Sequence, residues 1–450
     1  MVTGRRSILA RHRDFRWFWA GHTASVLGSQ VSAVALPLVA ALTLGAGASG
    51  VAAVATAGYL PNVVLTLLVG RWLEARRRRR VMVAADLIRA VAMAAVPLGY
   101  LLGLLSLPVL VGLALLIGAA TVVFDIGSFA YTVSLVDRPD LPAANRATQG
   151  SSTAAQVAGP GLAGGLVQLA GPVGALVVDA VSYLLSALGV ASARSPERPP
   201  APPAAGAGIL TGLRQVAANP VLRALTIHAA TYNGAAQILV VNLIVYAVTD
   251  RHLAPGLYGL ALSAAGAGAF LGTMLAPGLA GRLGYGRAFA SALCLSCGTP
   301  LAIAALPGSG PTLAAGLAAV QLVSGAGLGV ANVLSVTLRQ VVAPEGALAR
   351  TNAGYRLCTF GTLPLGGALG GLLGHAVGSR AAVAVGAAGL ALSALPMMTR
   401  RIRTVARPED AAPAPASRPA APATRPAGPA AASASASWSA GPGEGRRRPG

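Results

Sequence analysis

Twelve long apolar runs follow one another along this 450-residue chain. A helix needs about 20 mostly apolar residues to cross the hydrocarbon of a bilayer. Runs of about that length occupy 17–44, 50–73, 81–104, 108–131, 149–170, 173–193, 222–249, 256–280, 287–306, 312–338, 353–375 and 380–399. The links between them are short, with one exception. Ser195 to Gly208 is rich in Pro and Ala and has six runs on either side. The pattern predicts an all-α integral membrane protein of twelve transmembrane helices in two six-helix bundles, 17–193 and 222–400. An N-terminal arm (1–16) and a linker (194–221) are expected to lie on the cytoplasmic side. The tail (401–450) is Pro, Ala, Ser and Arg; it cannot bury a core and is expected to be disordered and cytoplasmic. The first run is entered from Arg11-His-Arg-Asp-Phe-Arg-Trp-Phe-Trp19. It is too long for a signal-peptide core, so it is expected to remain as a span anchored by its interfacial aromatics.

The placement of cations orients the bundle. All 34 basic side chains are arginine. Arg5, Arg6, Arg11, Arg13, the run Arg76 to Arg80, Arg138, Arg146, Arg194, Arg198, Arg214, Arg282, Arg287, Arg339, Arg350 and the tail fall on one side. Only Arg251 and Arg380 fall in the opposite loops. Loops rich in cations stay in the cytoplasm. Both termini are therefore expected inside, with an even number of spans in the cell membrane.

The halves repeat. Gly70 and Gly278 end the second and eighth runs, 208 positions apart. Asn145 and Asn352 open the fifth and eleventh, 207 apart, and each follows a Pro-acid pair, Pro139-Asp140 and Pro344-Glu345. A duplicated six-span unit is the plan of transporters that rock two halves about a central site.

Composition narrows the function further. The chain is 54% hydrophobic and 10% charged, with mean hydropathy +0.66. Soluble domains carry about 25% charged residues, so this much apolar surface needs a bilayer as its solvent. The net charge of +21 does not point to nucleic acid, because the arginines sit between apolar runs. Cys294, Cys297 and Cys358 lie in apolar segments and read as packing residues. No catalytic or metal-ligating constellation and no cofactor motif stands out. The expected partners are lipid, a small-molecule substrate and protons, and the chain is expected to act as a monomer and not as an enzyme.

Several motifs resemble the major facilitator superfamily. The loop after the second run is similar to its signature Gly-x-Leu-Ala-Asp-Arg-x-Gly-Arg-Arg, with Gly70, Glu74, Arg78 and Arg79 matching and Ala75 and Arg77 departing. Asp14-Phe-Arg-Trp-Phe-Trp-Ala-Gly, Leu27-Gly-Ser-Gln-Val, Asp86-Leu-Ile-Arg89 and Ser134-Leu-Val-Asp137 resemble the macrolide-efflux and enterobactin-exporter branch. The similarity covers about 12–400. It implies proton-coupled export of amphipathic organic molecules such as drugs, macrolide-like compounds, siderophores or secondary metabolites. It also implies that Gly70, Glu74, Arg78 and Asp125 latch the halves in the outward-facing state. Gly159-Pro-Gly-Leu-Ala-Gly-Gly165 is similar to the Gly-Pro-x-x-Gly-Gly core of the antiporter signature, with one extra residue. Gly159, Pro160, Gly164 and Gly165 carry that likeness, and a kinked, small-residue packing helix explains the same residues. An importer or facilitator, or a lipid-handling membrane protein, remains open.

A charge in hydrocarbon costs about 2.5–3.5 kcal/mol on insertion scales, so each needs a reason. Asp86 and Arg89 are spaced i, i+3 and are expected to pair on one helix face. Asp179 is the deepest isolated acid. Desolvation favours the neutral form of a carboxyl, as a proton carrier requires; an acid hydrogen-bonded to a neighbouring helix reads equally from the sequence. His228 is a second proton-coupling candidate. The seventh run also carries Tyr232, Asn233 and Gln237. With Gln30, Gln156, Gln321 and Asn332 these are candidates to line a cavity for a polar, neutral or weakly cationic substrate. Hydrogen bonding between helices is the alternative for each.

Overall fold

A computed structural model describes residues 8–74, 76–137, 140–193, 209–342, 348–399 and 410. It is a helical bundle: α1 (Ile8–Arg11), α2 (Arg13–Leu38), α3 (Ala48–Glu74), α4 (Arg78–Leu101), α5 (Leu107–Leu135), α6 (Leu141–Ser192), α7 (Ile209–Ala218), α8 (Pro220–Ile244), α9 (Pro255–Leu283), α10 (Tyr285–Gly298), α11 (Gly310–Val342), α12 (Leu348–Val377) and α13 (Ser379–Ser393). Among the described residues, 11 helices are long and apolar enough to cross a membrane.

The difference from the twelve predicted runs lies in α6. Its 52 residues are broken at Gly171, where φ is 74° and ψ is 166°. Glycine reaches that backbone region without the Cβ penalty. Pro172 disfavours helix in the residue before it and suits the first turn of the helical arm after it. Contacts with α2 show that the chain reverses there. In the first arm, Trp19 Nε1 donates to the carbonyl of Ala147 (3.2 Å), and Gly159 packs on Gln30, so this arm runs parallel to α2. In the second arm, Ser182 lies at Gly28 and Gly189 at Gly21, so it runs antiparallel. The two arms correspond to the fifth and sixth predicted runs.

The predicted repeat is visible in the backbone. Gly171 has its counterpart 207 positions on in Gly378 (φ 82°), which separates α12 from α13. α2 and α8 both end in π-helical turns, Val39–Thr43 and Val245–Asp250. There Leu44 N bonds Val39 O and Ala46 N bonds Ala40 O; Arg251 N bonds Tyr246 O and Leu253 N bonds Ala247 O, at the same offset. The predicted linker is partly helical. α7 lies at the foot of α12, where Thr351 Oγ1 donates to Gln215 Oε1 at 3.0 Å. Asn219 then caps α8, its side chain accepting from the amides of Val221 (3.0 Å) and Leu222 (3.2 Å). Such caps satisfy amides that a helix start leaves unpaired. Residues 1–7, 194–208 and most of the predicted tail lie outside the described residues.

Candidate functional site

The densest chemistry lies inside the first six-helix unit. Asp86 and Arg89 on α4 are 0% and 2% exposed, and Arg89 Nη2 donates to Asp86 Oδ1. Their i, i+3 spacing makes the pair, as the sequence predicts. Burying two charges costs several kcal/mol per ion unless further partners compensate. Here two ring faces help. The Arg89 guanidinium carbon lies 4.3 Å from the Phe124 ring centroid on α5 and 4.4 Å from that of Tyr183 on α6. A desolvated cation–π contact contributes about 2 kcal/mol or more. His22 stacks on Phe18 (5.7 Å) and Phe124 (6.0 Å), beside Arg89.

Asp179, on the second arm of α6, is completely buried. It accepts hydrogen bonds from Ser32 of α2 and from Ser182 Oγ (2.9 Å). Gly28 makes this approach possible. A Cβ there would stand 2.4 Å from Asp179 Oδ1 and 2.1 Å from Ser182 Oγ. Asp125 on α5 is exposed to solvent and stands in the fields of Arg89 and of Arg356 on α12. Asp179 stands in the field of the same Arg89.

Of the latch expected from the sequence, Gly70 and Glu74 lie in the last turns of α3, and the Glu74 side chain is outside the described ones. Arg78 opens α4, and its neighbour Arg79 donates to the carbonyl of Ala191 on the second arm of α6.

The polar residues of α8 are brought to neighbouring helices. His228 Nδ1 lies 2.7 Å from the Ser393 carbonyl on α13; a carbonyl only accepts, so Nδ1 carries the proton. The ring of Tyr232 lies 6.0 Å from that of His228. Asn233 Nδ2 donates to Thr359 O on α12 (2.9 Å). Asn242, also on α8, donates to Gly370 O (2.8 Å). Gln237 is buried beside Gly367. Gln30 sits under Gly159, Gln321 is half-buried, and Gln156 and Asn332 are exposed.

Glycines join the two halves along two seams. In the first, the Gly159–Gly165 segment meets α9. A Cβ on Gly164 would lie 2.5 Å from Pro255 O, and one on Gly259 would lie 2.3 Å from Pro160 O. Gly161 N donates to Ser263 Oγ at 2.7 Å, while Gly165 meets nothing within 4 Å. In the second, Gly367 and Gly371 of α12 meet Thr56 and Ala52 of α3. Small residues let membrane helices approach to backbone contact. Both seams lie towards the end of the bundle that carries Arg251 and Arg380, away from the arginine-rich loops.

Three of these residues are not among the candidates drawn from the sequence, although each carries a local signal. Tyr183 follows Asp179 at i+4 and so shares its face. His22 sits one turn beyond an aromatic cluster. Arg356 is a charge inside the eleventh run, which is itself a signal.

An all-helical bundle whose halves repeat at a 207-residue offset and meet along close-packed seams has the fold of the major facilitator transporters. Solved structures of that fold superpose on most of the chain. The nucleoside transporter NupG does so with a TM-score of 0.65 at 14% identity, over 86% of this chain and 98% of that one. A bacterial homologue of the iron transporter ferroportin in its inward-facing state gives 0.67 at 19%, over 87% and 99%. A bacterial homologue of the human lysosomal transporter Spinster gives 0.68 at 13%, over 89% and 98%. The sequence model of the transmembrane secretion effector family matches residues 8–425, and the chain belongs to that family, within the major facilitator transporters. It is also 32% identical over 211 residues to the multidrug efflux pump Tap of Mycolicibacterium fortuitum, over 44% of this chain and 51% of that protein. The chain thus spans about half the length of that curated relative.

Proposed function

We propose that this transporter exports amphipathic small organic molecules across the cell membrane by alternating access, driven by the proton gradient, with both termini in the cytoplasm. The observation that carries the reading is the pair of glycine seams. They close the arginine-poor end, which the arginine distribution assigns to the outside. A transporter closed there is open to substrate from the cytoplasm. The partial likeness to a multidrug efflux pump supports export, and the buried acids of the first half support proton coupling. Asp179 is the coupling acid. His228 has Nδ1 engaged by Ser393, which leaves Nε2 for a proton. Gly70, Glu74, Arg78 and Asp125 latch the cytoplasmic end once it closes, and the Gly159–Gly165 segment limits leak by holding the outer seam. Gln30, Gln156, Tyr232, Asn233, Gln237, Gln321 and Asn332 contribute the polar part of the substrate path. The chain works as a monomer of two bundles, 17–193 and 222–400.

Expression in an efflux-deficient host, challenged with a panel of toxic amphipathic compounds, tests the reading. Reduced accumulation of at least one compound, restored by an uncoupler, is the expected result. Proton-independent uptake of a compound, with no resistance to any, would overturn it.

A further inference from the structure

The Asp86–Arg89 pair is more than helix glue, because its hydrogen bonding is incomplete. Asp86 Oδ2 and Arg89 Nε are buried and have no hydrogen-bond partner among the described residues. An unpaired buried charged atom is costly, and here two of them sit on adjacent turns of one helix. Three carboxylates surround the single guanidinium from three helices: Asp86 on α4, Asp125 on α5 and Asp179 on α6. Asp86 and Asp179 are fully buried, whereas Asp125 is exposed. Tyr183, His22, Ser186, Ser32 and Ser182 also stand beside the cluster. Arg356, from the second half, also stands beside Asp125.

We propose that Arg89 is the shared counter-ion of the proton site, exchanging its hydrogen bond among Asp86, Asp125 and Asp179 as one proton passes from Asp179 to the cytoplasm through Asp125. This rests on the proton-coupled mechanism and assigns it a positioning residue. When a proton taken up by Asp179 from the outer phase moves through water to Asp125, Asp179 regains its charge and Asp125 becomes neutral. Arg89 then satisfies Asp86 and Asp179, and Arg356 loses its attraction to the first half. When the proton leaves Asp125 to the cytoplasmic phase, Asp125 regains its charge and draws both Arg89 and Arg356. The Phe124 and Tyr183 rings make the exchange cheap. A planar cation can slide between two ring faces without giving up either contact, which an ammonium cannot do as well. One proton bound on one side and released on the other balances the cycle.

Paired spin labels at Arg146→Cys and Arg282→Cys test this, with Cys294, Cys297 and Cys358 replaced by alanine, in the full-length protein reconstituted in lipid without substrate. These positions are exposed at the arginine-rich ends of α6 and α9. The expected result is a label distance that changes as pH falls from alkaline to mildly acidic. Asp125→Asn abolishes the change, and Arg89→Lys moves its midpoint by about one pH unit or more. Asp125 is exposed, so Asp125→Asn preserves the fold even where Asp86→Asn does not. A normal pH response whose midpoint is unmoved in both Asp125→Asn and Arg89→Lys overturns the assignment to Arg89 and leaves proton coupling standing. A parent protein whose label distance ignores pH overturns both.

Discussion

Gly28 of α2 lies directly against Asp179 of α6, close enough that a single added methyl would fall 2.4 Å from the carboxylate. A buried acid therefore sits where two helices cross at backbone distance, held by hydroxyls from both of them. Gly28→Ala must push these helices apart. Overpacking of this kind costs about 1–3 kcal/mol. The variant is expected to unfold at a clearly lower temperature in detergent. An unchanged thermal midpoint would show that the two helices separate at no cost.

Asp179→Asn separates a structural acid from a coupling one. Asparagine keeps the shape, and the Ser32 and Ser182 hydroxyls can turn to accept as well as donate. The fold is therefore expected to survive while transport driven by a pH gradient is lost. Inside-out vesicles with an imposed gradient provide the readout. Undiminished gradient-driven transport would leave Asp179 as packing alone.

At the outer seam, Gly259→Leu places a side chain where even a Cβ would meet Pro160 O at 2.3 Å and the Gly164 Cα at 2.8 Å. The seam cannot close over it, so the outward-open population rises. A cysteine at Thr56 in the neighbouring seam is expected to react severalfold faster with an impermeant maleimide added outside. Equal rates with and without the substitution would rule out a seam that gates this end.

The N-terminal helix is tied down by a separate ionic contact. Asp140, just before α6, accepts from Arg11 Nη1 and Nη2 (both 2.9 Å) and lies 2.8 Å from His12 Nε2. The His12 hydrogen bond, more than Arg11, holds the Asp140 carboxyl below the usual carboxylate range. A group with a lowered pKa in the folded protein stabilises it above the unfolded value and loses that contribution as pH falls through the folded one. The tether is therefore expected to hold at neutral pH and to loosen only in acid stronger than that which protonates an ordinary aspartate. The protection of amides 8–12, taken relative to the intrinsic exchange rate at the same pH, is expected to fall in such acid, and in Asp140→Asn at neutral pH. Exchange that is insensitive to both would mean that packing, not charge, holds the arm.

Much of this was legible along the chain because the bilayer imposes one-dimensional rules. A span must be apolar for about 20 residues and must satisfy its own backbone. The apolar spans, the Gly171-Pro172 break and the half-to-half offset are consequently written locally. So is the Asp86–Arg89 pair, since i, i+3 spacing on a helix is already a spatial contact. The polar residues of α8 show the opposite case. Periodicity places Asn233 and His228 on a helix face, but a neighbouring backbone carbonyl decides whether such a group lines a path or binds a helix. Thr359 lies 126 positions from Asn233, and Ser393 lies 165 from His228.

The sequence by itself determined a duplicated, twelve-run helical membrane protein with opposite ends of unequal charge, because hydropathy and charge act on each segment separately. Only the tertiary structure decided that Arg89 bonds Asp86 within the field of Asp125 and Asp179, that Arg356 stands in the field of Asp125 from the other half, and that glycine seams join the halves near one end. Those facts depend on how near two helices approach, and that distance is set jointly by side chains far apart in the chain.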